Sequence, residues 1–169
     1  MSLNFHQSGN VNSCCYNRNQ VLGRYPENSI QEIWEGEKRK ELRLALEKPD
    51  FSMGCQGCAL VLQDKAFISI HARDYDHKMP RSGRLEIDAP THFEFEISNL
   101  CNLECVMCDG TFSSLIRKNR EKLPPLKLPY DQEFVRQLRP FWKNIRSASF
   151  LGGEPFLNKL YFQMWEDIA

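Results

Sequence analysis

A chain of 169 residues with 41% hydrophobic content can bury the core of one or two small domains. Lys plus Arg equals Asp plus Glu at 22 each, so no net field draws it toward nucleic acid or an anionic membrane, and neither is expected as a partner. The opening MSLNFHQSGN has neither a basic nor an apolar leader region, and no apolar run nears the roughly 18 residues of a membrane span, which reads as a cytoplasmic protein.

The segment LNFHQSGNVNSCCYN predicts two short strands joined by a turn at Ser8 and Gly9. A helix follows from about Ser29 to Lys48, opened by a capping box of Ser29 and Glu32 and closed by Pro49. Its apolar face is Ile30, Ile33, Trp34, Leu42 and Leu46. Cys55 and Cys58 come next, then a second helical stretch to about Asp74, then a polar linker with Pro80 and Gly83. From Pro90 the pattern changes. HFEFEIS alternates as a strand, residues 109–120 read as helix, and LPPLKLP as a loop. DQEFVRQLRPFWKN is a helix leading to a strand and glycine turn in SASFLGGEPF, with a last helix beginning after it. Strand, helix, strand, helix predicts parallel βαβ units, and Phe141, Trp142 and Trp165 belong to their core. His6 and His92 read as surface residues of the strands.

Seven cysteines in two clusters of short spacing suit metal or catalysis in a reducing compartment better than disulfides. Cys101, Cys105 and Cys108 have the spacing C-x3-C-x2-C. A structural zinc site takes four closed ligands, and a cubane cluster offers four iron corners, so three thiolates leave one iron open. The triad follows a strand, where barrel enzymes keep their chemistry.

The triad, followed about forty residues later by Gly152, Gly153, Glu154 and Pro155 after a second strand, resembles the radical S-adenosylmethionine enzymes. The resemblance implies a [4Fe-4S] cluster on Cys101, Cys105 and Cys108 whose open iron chelates the amino and carboxylate groups of S-adenosylmethionine. One electron, from a donor such as flavodoxin or ferredoxin, then cleaves the cofactor to a 5'-deoxyadenosyl radical that abstracts hydrogen from substrate. Gly152, Gly153 and Glu154 are expected to meet the methionyl amine: glycines permit close backbone approach, and a carboxylate accepts from an ammonium. Met107 stands where the family usually has an aromatic residue near the adenine. No side chain of this chain is assigned as a catalytic acid, base or nucleophile.

Gly9, Cys14, the Ser29 helix, Cys55 and Cys58 resemble the start of a SPASM or shorter twitch extension, which holds an auxiliary iron-sulfur cluster. That resemblance implies Cys14, Cys55 and Cys58 as auxiliary ligands, with Cys14 or Cys15 open as the choice. The neighbouring side chains diverge if the segment is a strand. The competing pattern is a Cys2His2 zinc module of Cys55, Cys58, His71 and His77 with Leu62 and Ile68 as apolar fillers. Its base-reading positions would be Asp64, Phe67 and Ile70, a poor set for DNA.

The expected architecture is α/β: a twitch-like α+β segment over 1–75, a linker over 76–89, and the opening βα units of a partial (β/α)6 TIM-type barrel over 90–169. The barrel reads as unfinished and the chain as a fragment, expected to turn over S-adenosylmethionine weakly. The substrate is unassigned. Auxiliary-cluster members suggest a peptide by analogy.

Overall fold

Alternating residues make the sheet. In the strand Ser2–His6 (β1), Leu3 and Phe5 are buried on one face while Ser2 and Asn4 lie on the other, as the two-residue period of a strand demands. The protein is described here from a computed structural model over residues 2–70, 73 and 89–169. The expected linker, apart from Ala89, and both zinc-pattern histidines, His71 and His77, lie outside the described residues.

β1 turns through Ser8 and Gly9 into Asn10–Asn12 (β2), as the sequence predicts, and pairs with it antiparallel. A third strand, Val21–Arg24 (β3), was not evident in the sequence: it is four residues long, contains Gly23, and pairs with β2 across a register shift at Val11 and Asn12. The strand expected from HFEFEIS is His92–Glu96 (β4), and the one in SASF is Ser147–Phe150 (β5). The sheet order is β3-β2-β1-β4-β5, with β1, β4 and β5 mutually parallel. The N-terminal cysteine segment and the triad segment therefore share one sheet.

Phe5, Phe95 and Phe150 occupy one row of that sheet and stack at centroid distances of 5.3 and 5.1 Å. Helices cover the row. Gln132–Trp142 (α5) contributes Phe134 edge-on to Phe5, and Lys159–Ile168 (α6) contributes Tyr161 edge-on to Phe150. Each fully buried phenylalanine is worth about 1.5–3 kcal/mol, so this aromatic layer is the main source of cohesion. Phe141 is buried in it, and Trp142 and Trp165 pack against it, as predicted.

The long helix from Ser29 divides. Its capping box forms, with the Ser29 hydroxyl accepting from Glu32 N–H, but Gly36 takes an extended ψ of 153° and separates Ile30–Glu35 (α1) from Glu37–Glu47 (α2). The break rotates the second half, so Leu42 stays buried while Leu46 is exposed. Gln56–Gln63 (α3) starts one residue after Cys55 and ends well before Asp74, with a short 3-10 turn at Phe67–Ser69. The helix expected over 109–120 shortens to Ser114–Asn119 (α4), because Asp109 instead accepts from the Phe112 and Ser113 N–H groups in a turn that closes the cysteine loop. His92 corrects the surface expectation: it is 2% exposed, and its Nδ1 meets the Ser147 hydroxyl at 2.7 Å.

Candidate functional site

The second face of the sheet is polar yet buried. Asn4, Glu94 and Ser149 share one row, and Ser2, His92 and Ser147 the next. Burying carboxylates is costly unless they are paired. The loop after β2 supplies the pairing: Arg18 Nη2 lies 2.9 Å from both oxygens of Glu96, and the Cys15 N–H donates to Glu94 at 3.1 Å. The Asn12 side-chain amide holds that loop down by donating to the carbonyls of Asn17, Arg18 and Gln20. Neither Arg18 nor the carboxylates was singled out in the sequence, although three titratable side chains at period two in HFEFE were a visible signal.

The same loop separates the two adjacent cysteines. Cys15 turns toward Glu94, with Sγ 3.8 Å from Oε1. Burial first, and then the Glu94 charge, push its thiol up to about 12. Cys14 instead lines a cavity of about 260 Å³ together with Tyr16, Asn17, Cys55, Cys58 and Val61. The structure thus groups Cys14 with Cys55 and Cys58 and leaves Cys15 outside. Cys55 caps α3, and Cys58 sits in its first turn. A nucleic-acid-type finger is built ββα, and cysteines at the head of a helix depart from it. Ile68, its proposed filler, is 89% exposed.

Burial first raises the Cys14 and Cys55 thiols, and the charges of neighbouring sulfurs add to the rise. Iron would reverse that, since a coordinating thiol is deprotonated outright. Backbone N–H groups of Tyr16 and Asn17 lower the Cys14 thiol against that burial, and the Asn17 side-chain N–H lies 3.4 Å from Cys55 Sγ. Buried thiols supplied with N–H donors fit an iron-sulfur cluster. No three His, Cys, Asp or Glu side chains among the described residues close around a single metal ion. A cluster differs in presenting separate iron corners to its thiolates.

The triad lies on the loop after β4. Cys101 and Cys108 are partly buried and Cys105 is exposed. Asn99, 4% exposed, donates its amide to the Gly110 carbonyl at 3.0 Å and ties the two ends of the loop together. The Ser114 hydroxyl exchanges hydrogen bonds of 3.1 Å with the Cys101 N–H and carbonyl, and the Ser113 hydroxyl donates to Leu103 O at 2.7 Å. The Leu103 N–H points at Cys101 Sγ, 3.4 Å away. The loop is thus anchored around its cysteines by side chains from the head of α4. Met107 is 83% exposed on it.

The glycine segment is joined to this loop directly. Leu151 N–H donates to Phe95 O, Gly153 N–H to Ser98 O and Glu154 N–H to Leu100 O, at 2.7, 2.9 and 2.7 Å. Gly152 has φ +100°, and a Cβ there would sit 2.3 Å from Ser98 O; one on Gly153 would sit 2.2 Å from Leu100 O. The close approach expected toward a ligand is therefore, on these atoms, an approach to the backbone beside Cys101. Glu154 Oε1 accepts from Phe156 N–H at 3.1 Å, opening the 3-10 turn at Pro155–Leu157.

Among the described residues no helix is long and apolar enough to cross a membrane. No curated protein and no solved structure matches the chain. Residues 1–59, which contain Cys14, Cys55 and Cys58, match the SPASM family, an iron-sulfur cluster-binding domain.

Proposed function

We propose that the chain is part of a radical S-adenosylmethionine enzyme carrying two iron-sulfur clusters, a [4Fe-4S] cluster on Cys101, Cys105 and Cys108 and an auxiliary one on Cys14, Cys55 and Cys58. The observation that carries this reading is the backbone zipper between Gly153, Glu154 and the Ser98–Leu100 stretch, which brings the glycine segment against the three-thiol loop. Cys101, Cys105 and Cys108 would hold the cluster, which would supply the one-electron chemistry for reductive cleavage of S-adenosylmethionine.

This chain's own residues hold and orient. Asn99, Ser113 and Ser114 fix the loop that presents three thiolates. The Leu103 N–H supports the Cys101 sulfur. Glu154, its backbone pinned to Leu100, is held beside that loop, and its carboxylate has the chemistry to receive the methionyl ammonium. Met107 supplies an exposed apolar contact for the adenine. The parallel pair β4 and β5, with helices between them in sequence, supports the opening of a (β/α)6 barrel over residues 90–169. The SPASM match favours an auxiliary cluster. A peptide substrate and a low-potential donor such as flavodoxin or ferredoxin complete the proposal by analogy with auxiliary-cluster enzymes. Seven free cysteines support a reducing, cytoplasmic setting.

The test is anaerobic reconstitution with iron and sulfide. Replacing Cys101, Cys105 and Cys108 by alanine should remove one cluster and leave the other, and replacing Cys14, Cys55 and Cys58 should do the reverse. His71→Ala and His77→Ala should change neither. Stoichiometric zinc lost with either histidine, or undiminished iron in the triad variant, would overturn the assignment.

A further inference from the structure

Asn17 lies three positions after Cys14 and is 1% exposed. Its side-chain Nδ2 donates to the Met53 carbonyl at 3.0 Å. A carbonyl can only accept, so this contact fixes which end of the amide is nitrogen. The same NH2 group lies 3.4 Å from Cys55 Sγ. Its backbone N–H donates to the Cys14 carbonyl at 3.2 Å, so one residue is tied to both cysteine segments.

The placement is tightly built. Gly54, with φ +81°, packs its Cα against the Asn17 amide; a Cβ there would fall 1.9 Å from Asn17 Oδ1. Asn17 Oδ1 has no hydrogen-bond partner and is fully buried. An asparagine that leaves its own acceptor unsatisfied in the interior is costly to keep. Its retained contacts are both through Nδ2, on the Met53–Cys55 turn.

Resting on the reading that Cys14, Cys55 and Cys58 hold an auxiliary cluster, we propose that Asn17 is the positioning residue that sets the reduction potential of that cluster, through its side-chain N–H on Cys55 Sγ. Reduction adds one electron from an external one-electron donor of low potential, with no bond broken and no proton moved. The added charge spreads onto the ligating sulfurs, and an N–H dipole aimed at a sulfur stabilises the reduced form more than the oxidised one. Removing that donor makes reduction harder. A hydrogen bond to a charged group supports a change of roughly tenfold in the reduction equilibrium, which is about 59 mV for one electron.

The experiment uses the full chain with Cys101, Cys105 and Cys108 replaced by alanine, reconstituted with iron and sulfide, so that the auxiliary cluster alone is titrated. Asn17→Leu removes the donor, and Asn17→Asp exchanges it for an acceptor in the same shape. Iron content is measured first, then the midpoint potential by dithionite titration followed by electron paramagnetic resonance. Both variants should keep the parent's iron and move to more negative potential, Asn17→Asp further than Asn17→Leu. Unchanged potential at full iron would overturn the role of Asn17 while sparing the cluster. A parent without iron would overturn the cluster and the proposal together. Unmutated protein made with asparagine carrying 15N in its side-chain amide gives a reading independent of variant folding. A hyperfine coupling from that nitrogen to the reduced cluster is expected, and its absence would overturn the proposal.

Discussion

Arg18, four residues after Cys14, meets Glu96, five residues before Cys101, through one nitrogen that lies 2.9 Å from both carboxylate oxygens. The two cysteine segments are thus clamped by an ion pair whose acid is 7% exposed and whose base is 44% exposed. Arg18→Ala strands a buried carboxylate. Because the arginine is half in water, the expected loss is about 1–2 kcal/mol, below the 3–5 kcal/mol of a fully buried pair. Adding Glu96→Gln to Arg18→Ala should recover part of it, as read from urea midpoints of the single and double variants.

Gly152→Ala and Gly153→Ala should each destabilise the chain by about 1–3 kcal/mol, since the new methyl meets a backbone carbonyl that cannot rotate away. Iron held by the triad should fall in both. Gly57→Ala is the matched control. Gly57 lies within α3 with no atom within 4 Å of an added Cβ, and the change should stabilise by about 0.5–1 kcal/mol. Equal behaviour of the three variants would contradict the zipper's role.

Asp131 caps α5 by accepting from Phe134 N–H at 3.1 Å, and it accepts the Tyr25 hydroxyl at 2.7 Å. The Tyr25 contact first, joined against desolvation by the Phe134 and Glu133 N–H groups and the Arg136 charge, holds its carboxyl below the ordinary value of 3.8. A depressed folded value stabilises above the unfolded one and is lost as pH falls through the folded one. Asp131→Ala should cost about 1–2 kcal/mol at neutral pH, with the deficit shrinking below about pH 4. Denaturant titrations across that range measure it.

Iodoacetamide on metal-free protein at pH 8 should modify exposed Cys105 early and Cys15 last. Cys15 is kept protonated by burial and by the Glu94 carboxylate beside it. Glu94→Gln should accelerate Cys15 and leave Cys105 unchanged. Site-resolved mass spectrometry distinguishes the two, and equal rates at Cys15 in both proteins would remove Glu94 from the explanation.

Local patterns were legible in the sequence. Two-residue alternation marked β1, β4 and β5, and the Ser29 and Glu32 capping box marked the start of α1. The cysteine spacing pointed to metal, and the resemblance to a SPASM extension agrees with the match over residues 1–59. What depended on tertiary partners was not legible. β3 is four residues long and exists through its pairing with β2. The helix expected from Ser29 to Lys48 ran through Gly36, where the extended backbone instead separates α1 from α2. Cys14 and Cys15 were indistinguishable until the loop was laid across β4, where Glu94 takes one and Cys55 and Cys58 gather with the other. His92 carried no signal of burial because its partner, Ser147, lies 55 residues away.

The parallel pairing of Ser2 with His92 also sets a schedule. While the chain is being made at about 5–20 residues per second, β1 can close against β2 almost at once, but its other edge must wait on the order of ten seconds for β4 to be synthesised. Throughout that interval Leu3 and Phe5 face solvent beside unpaired backbone. Nascent chains crowded on one messenger would present the same edge to each other, so slowing synthesis between residues 24 and 92 should lower soluble yield even though the finished sequence is unaltered.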